Sequence, residues 1–149
     1  MFAWVFSTML RRNIRRVNAG DYRPMLGFYA KDAVLVFPGR NSWAGEHRGK
    51  EAIERFLQRF VRVGMQFEAH EILVSGPPWN ASACVRFSDS ARDTNGKVVY
   101  ANRGIIYVKT SWGKITLQED FEDIERVAEF DKWLAEHSPE VATFDATGG

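Results

Sequence analysis

Tyr29-Ala30-Lys31-Asp32-Ala33-Val34-Leu35-Val36-Phe37-Pro38, preceded by Asn18-Ala19-Gly20-Asp21, is the stretch that decides the fold. Val34 to Phe37 reads as a short buried strand, and Pro38-Gly39 closes it. Upstream, Phe6, Leu10, Ile14 and Val17 recur at i, i+4, i+8 and i+11, one face of an amphipathic helix. Asn18-Ala19-Gly20 ends that helix. Asp21 is then the expected N-cap of a short second helix running to Tyr29. Pro24 falls in its first turn, where a missing N–H costs little.

Working outward, residues 40–48 read as loop. Gly49 to Val61 reads as a third helix, with Ile53, Phe56, Leu57 and Phe60 on one face. The period then changes. Strands are expected over Met65–Val74, Ala81–Ser90, Lys97–Thr110 and Lys114–Asp123. Ser111-Trp112-Gly113 fits a three-residue hairpin loop with a glycine bulge, which pairs Thr110 with Lys114 and sets Gly104 opposite Asp120. Asp123 caps a last helix over Ile124–Glu136, and the small, polar tail after Pro139 has no core-forming pattern. Helices first and strands after predict an α+β domain over residues 1–137, with a curved, mostly antiparallel sheet packed against N-terminal helices; 138–149 are expected as a disordered tail.

A chain of 149 residues can bury one core, and its 45% hydrophobic content is that of a globular protein. Five Trp and eleven Phe exceed a minimal core and suit an apolar pocket or an interface. A net charge of +1 argues against general nucleic-acid binding. Charge is uneven: counted from the sequence, residues 1–62 hold twelve Lys/Arg against five Asp/Glu, and 63–149 hold eight against fourteen. Cys84 is alone, so no intrachain disulfide framework exists, and no stretch has membrane-spanning length. A cytoplasmic protein without a membrane partner is the expectation. His47, His70 and His137 are scattered and match no metal signature, and no phosphate loop is present, so no cofactor or metal is expected.

Four segments together resemble the SnoaL-like and ketosteroid isomerase-like proteins of the nuclear transport factor 2-like superfamily. They are Asn18-Ala19-Gly20-Asp21, Tyr29-Ala30-x-Asp32-Ala33, Gly45-x-x-Arg48-Gly49-Lys50-x-Ala52-Ile53 and Trp112-Gly113-Lys114-Ile115. The resemblance implies a cone-shaped sheet, a pocket at its mouth, and a homodimer of sheets paired back to back, with the Ile105, Tyr107, Leu117 and Phe121 face serving either as that surface or as core. It does not carry the isomerase's reaction over. The base position is Phe37, the supporting acid falls at Gly104, and the oxyanion tyrosine position is Asn13.

Asp120 is the expected catalytic acid/base, since a carboxyl group in an apolar cavity exchanges protons near neutrality. SnoaL-like cyclases are similar in using a late-strand aspartate. Simple alternation points the other way: Ile115, Leu117 and Phe121 would take the core face, leaving Thr116, Gln118, Asp120 and Glu122 to water. Phe37, Trp43, Phe56 and Phe60 are candidate apolar walls; Asn13, Asn102 and Gln118 are candidate polar contacts to a ligand. The reading is a cofactor-free isomerase, cyclase or dehydratase acting on a small apolar organic molecule. Non-catalytic binding of a hydrophobic ligand and a dimeric interaction module stay open.

Overall fold

A computed structural model describes residues 1–144. Helix α1, Phe2–Asn18, buries Phe6, Leu10, Ile14 and Val17, the stripe its spacing predicts. The turn after it leads to α2, only Arg23–Leu26, with Asp21 accepting from the Arg23 amide at 3.2 Å. The second helix is shorter than expected because Gly27 and Phe28 leave it, and the chain enters strand β1 at Tyr29, running Tyr29–Phe37. Tyr29 belongs to the sheet because it pairs with Ile115, and its ring is buried.

The loop expected over 40–48 contains a strand, β2, Gly45–Arg48, antiparallel to β1. Gly-Glu-His-Arg carries no strand periodicity; the free edge of β1 recruits it, and as an edge strand it stays largely exposed. Helix α3, Gly49–Val63, packs on β1 and ends at Gly64 in the left-handed conformation. Then come β3, Gln66–Ser75; β4, Ala81–Arg92; β5, Val98–Ser111; and β6, Lys114–Glu122. The sheet order is β2-β1-β6-β5-β4-β3, with β1–β6 its one parallel pair. Helix α4, Ile124–His137, starts at Asp123, whose carboxylate accepts from the Glu125 and Arg126 amides. No helix among the described residues is long and apolar enough to cross a membrane.

The β5–β6 hairpin departs from expectation by a two-residue register shift. Ser111 pairs with Lys114 across a two-residue turn, with Trp112 at φ 52° and Gly113 at φ 78°. Positive φ at both positions is the geometry that matches strand twist in a tight hairpin. A bulge then places Thr116 between the pairs Thr110–Ile115 and Lys109–Leu117. The shorter turn and the bulge each move the register by one. Ile106, not Gly104, faces Asp120, and Gly104 faces Glu122.

The bulge also exchanges the faces of β6. Ile115 is buried before it, and Gln118 and Asp120 are buried after it. Phe121, given to the core by alternation, is 53% exposed. The tail beyond the domain is also corrected in part. Pro139–Val141 form a 3₁₀ turn, Val141 is buried, and Phe144 packs on Trp43, His47 and Phe56. Buried Arg59 holds this segment through the Val141 and Ala142 carbonyls, at 2.9 and 2.7 Å, and joins it to the loop after β1 by donating to Ser42 Oγ at 2.7 Å. Residues 145–149 lie outside the described residues.

Candidate functional site

Between the concave face of the sheet and the helices lies a cavity of about 120 Å³. α1 contributes Leu10, Ile14 and Val17, α3 contributes Phe56, Leu57 and Phe60, and α4 contributes Val127 and Phe130. Phe37 and Trp43 add to the apolar wall. Six expected site residues therefore meet here: Phe37, Trp43, Phe56, Phe60, Gln118 and Asp120.

Asn13 and Asn102 do not line it. Asn13 is buried on α1 beside the lining stripe. Asn102 lies beyond the end of β6 once the register moves by two. Its amide nitrogen donates to Tyr100 Oη at 3.0 Å and to the Asp123 carbonyl at 2.9 Å, so it supports a wall residue instead. His47 contacts the Trp43 carbonyl at 2.8 Å and the Phe56 ring, and burial lowers its pKa; His70 is hydrogen-bonded to Ser88 near the surface.

Four polar lining residues are absent from the expectations: Tyr29, Asp89, Tyr100 and Glu122. Asp89 is legible in retrospect. Ala81, Ala83, Val85, Phe87 and Ala91 form the buried phase of β4, and Asp89 occupies a place in that phase. Tyr29 is hidden from sequence reading by its assignment to a helix.

A hydrogen-bonded chain orients Asp120. The Tyr29 hydroxyl donates to Gln118 Oε1, and Gln118 Nε2 donates to Asp120 Oδ1 at 2.9 Å. Gln118 is thus fixed at both ends, and its amide cannot rotate without losing one bond. Burial pushes Asp120 up to about 7, against the smaller opposing effect of Gln118. Asp89 is also raised to about 7, first by burial and then by the nearby charge of Asp120. Glu122 is raised to about 8 by burial, then by Asp89 and Asp120, while the Tyr100 hydroxyl donates to it at 3.1 Å. Both tyrosines are pushed upward, mainly by burial, so they act as neutral donors.

The cluster forms around Gly104, which stands between Phe87 on β4 and Glu122 on β6 and brings no side chain to the inner face. A Cβ there would lie 2.1 Å from the Phe121 carbonyl oxygen. The site can hold, donate and accept protons near neutral pH within mostly apolar walls. Among the described residues no set of three or more His, Cys, Asp or Glu is placed to hold a metal ion.

The SnoaL-like domain model matches residues 10–118. No curated protein matches the sequence. Among solved structures, the chain is similar to Bal32a from a soil-derived mobile gene cassette. The TM-score is 0.70 at 22% identity, covering 86% of this chain and 97% of that one. It is similar to SalBIII, described as an epoxide hydrolase/cyclase-like enzyme in pyran ring formation in the polyether salinomycin. Here the TM-score is 0.67 at 15% identity, covering 83% and 94%. TerC, co-crystallised with polyporic acid, gives a TM-score of 0.67 at 19% identity, covering 83% and 98%. At these identities the likeness is one of fold.

Proposed function

The chain belongs to the SnoaL-like family, and we propose that it is a cofactor-free acid/base enzyme acting on a small, largely apolar organic molecule by isomerisation, cyclisation or dehydration. The observation that carries this reading is Asp120: a carboxyl group buried among apolar walls, raised to about 7, and aimed by the Tyr29–Gln118 chain. Its Oδ1 is occupied by Gln118, and no described residue bonds Oδ2, which is the oxygen free to exchange a proton with a substrate. Glu122 and Asp89 supply a second proton store, so one group can give a proton while another takes one. The ring-forming chemistry named for SalBIII is of this class.

Steroid isomerisation is not the reaction. Phe37 is an apolar wall where that chemistry needs a base, and Gly104 has no room for a side chain. A homodimer on the outer face of β5 and β6 belongs to the same proposal. Ile105 and Phe121 are register partners there, 39% and 53% exposed. A cytoplasmic setting accords with the free Cys84.

The test is turnover of a panel of apolar enones, β-hydroxy ketones and epoxides, with product formation and deuterium uptake from D₂O read by mass spectrometry. Wild type converts at least one member, and Asp120→Asn loses on the order of 10²-fold or more. A compound that binds yet shows neither conversion nor deuterium uptake makes the protein a binding module.

A further inference from the structure

The cavity's charge is one-sided. Asp89, Asp120 and Glu122 line it, and among the described residues no Lys, Arg or His does. Three carboxyl groups come from two strands flanking Gly104, so no side chain of β5 at that position separates them. Burying even one carboxylate without a counter-charge is costly, and mutual repulsion adds to the cost.

The cluster is also short of donors. Glu122 receives the Tyr100 hydroxyl, and Asp120 receives the Gln118 amide. Asp89 Oδ1 is buried and has no hydrogen-bond partner among the described residues. An orphaned buried acceptor in a native fold points to a donor from outside the chain, water or ligand. That donor must enter through the cavity, which Asp89 lines.

A ligand supplies that donor either as a neutral O–H or N–H, such as a hydroxyl, or as a protonated nitrogen. The hydroxyl brings one proton and no charge. A protonated amine brings up to three donors and the missing positive charge, and a charge-assisted bond is about twice as strong as a neutral one. The remaining walls, among them Phe37, Phe56 and Phe130, are apolar and take a hydrocarbon body.

We propose that the ligand of this cavity is an apolar amine whose basic nitrogen sits at Asp89, on the Glu122 side of the acidic cluster, leaving Asp120 free for proton exchange, with its apolar body against the aromatic walls. The inference names the substrate class for the site proposed above and rests on that cavity being a ligand site. The protons balance simply. The amine enters as the ammonium ion, and each carboxyl group that ionises against it gives its proton to solvent.

Titration calorimetry of the full chain with phenylbutylamine, phenylbutanol and phenylbutyrate tests this, run near neutral pH in two buffers of different ionisation enthalpy. The amine binds about tenfold or more tighter than the alcohol. Its apparent heat differs between the buffers because protons are released, and the carboxylate does not bind. Asp89→Asn abolishes the amine's preference over the alcohol. If alcohol and amine bind equally in wild type, the amine class is wrong while the ligand site stands. If none of the three binds, both fail. Wild-type amine preference that survives intact in Asp89→Asn also overturns the proposal.

Discussion

Replacing Asp120 by Asn keeps the shape and an acceptor for Gln118 but removes the ionisable group. Burial raises Asp120 from 3.8 to about 7 in the folded chain. Below 3.8 both the folded and unfolded forms hold the proton. Between 3.8 and about 7 the unfolded form has lost it and the folded form keeps it, so stability falls as pH rises; above about 7 the loss is complete. Each pH unit between the two pKa values is worth about 1.4 kcal/mol, which sets a limit of about 4 kcal/mol for this gap. Between about pH 5 and pH 8.5 the share lost is about 3 kcal/mol. Wild type should therefore lose at least that much more stability than Asp120→Asn over this range. Asp89 and Glu122 add to the wild-type loss, because the Asp120 charge that raises them is gone in the variant. In thermal unfolding this is a difference of roughly 6–12 °C for a chain of this size. Melting curves of the two proteins that shift in parallel from pH 5 to 8.5 would refute the burial argument.

Other substitutions probe the frame around the cluster. Gly104→Ala puts a Cβ 2.1 Å from the Phe121 carbonyl, so urea midpoints should fall by an amount equivalent to about 2 kcal/mol or more; an unchanged midpoint would show that β6 yields freely. Arg59→Met strips the Val141, Ala142 and Ser42 contacts and leaves Asp131, which accepts from Ser42, without its cationic neighbour. A loss of about 3–5 kcal/mol is expected, with earlier proteolysis after residue 138 than in wild type. Tyr29→Phe removes the donor to Gln118 Oε1 and should cost about 1–3 kcal/mol in denaturant melts, whereas a neutral effect would mean that Gln118 is held without it. Asp123→Ala should cost about 1 kcal/mol as a lost helix cap, read in the same assay.

Much of the fold is written locally. The α1 stripe, the Asp123 cap and the four long strands follow from periods of 3.6 and 2 and from punctuation by Gly and Pro. What escaped reading is non-local. β2 exists because β1 has an open edge, and Tyr29 is a strand residue because Ile115 pairs with it. The Thr116 bulge has no residue signature, yet it decides which side chains of β6 face inward. Alternation without a bulge sends Asp120 to water, and only the resemblance to SnoaL-like cyclases argued for the pocket side. The apolar half of the site was legible as an excess of aromatics. The acidic half was not, because Asp89, Asp120 and Glu122 are brought together by register across β5, and register is set by the turn and the bulge.

The most direct measurement is a carbon-13 NMR titration of the side-chain carboxyl carbons, assigned with Asp89→Asn, Asp120→Asn and Glu122→Gln. Asp120 and Asp89 should titrate near 7 and Glu122 near 8, in one interdependent set. Asp120 titrating in the ordinary aspartate range near 4 would mean that water reaches it freely, and the acid/base site proposed here would not exist.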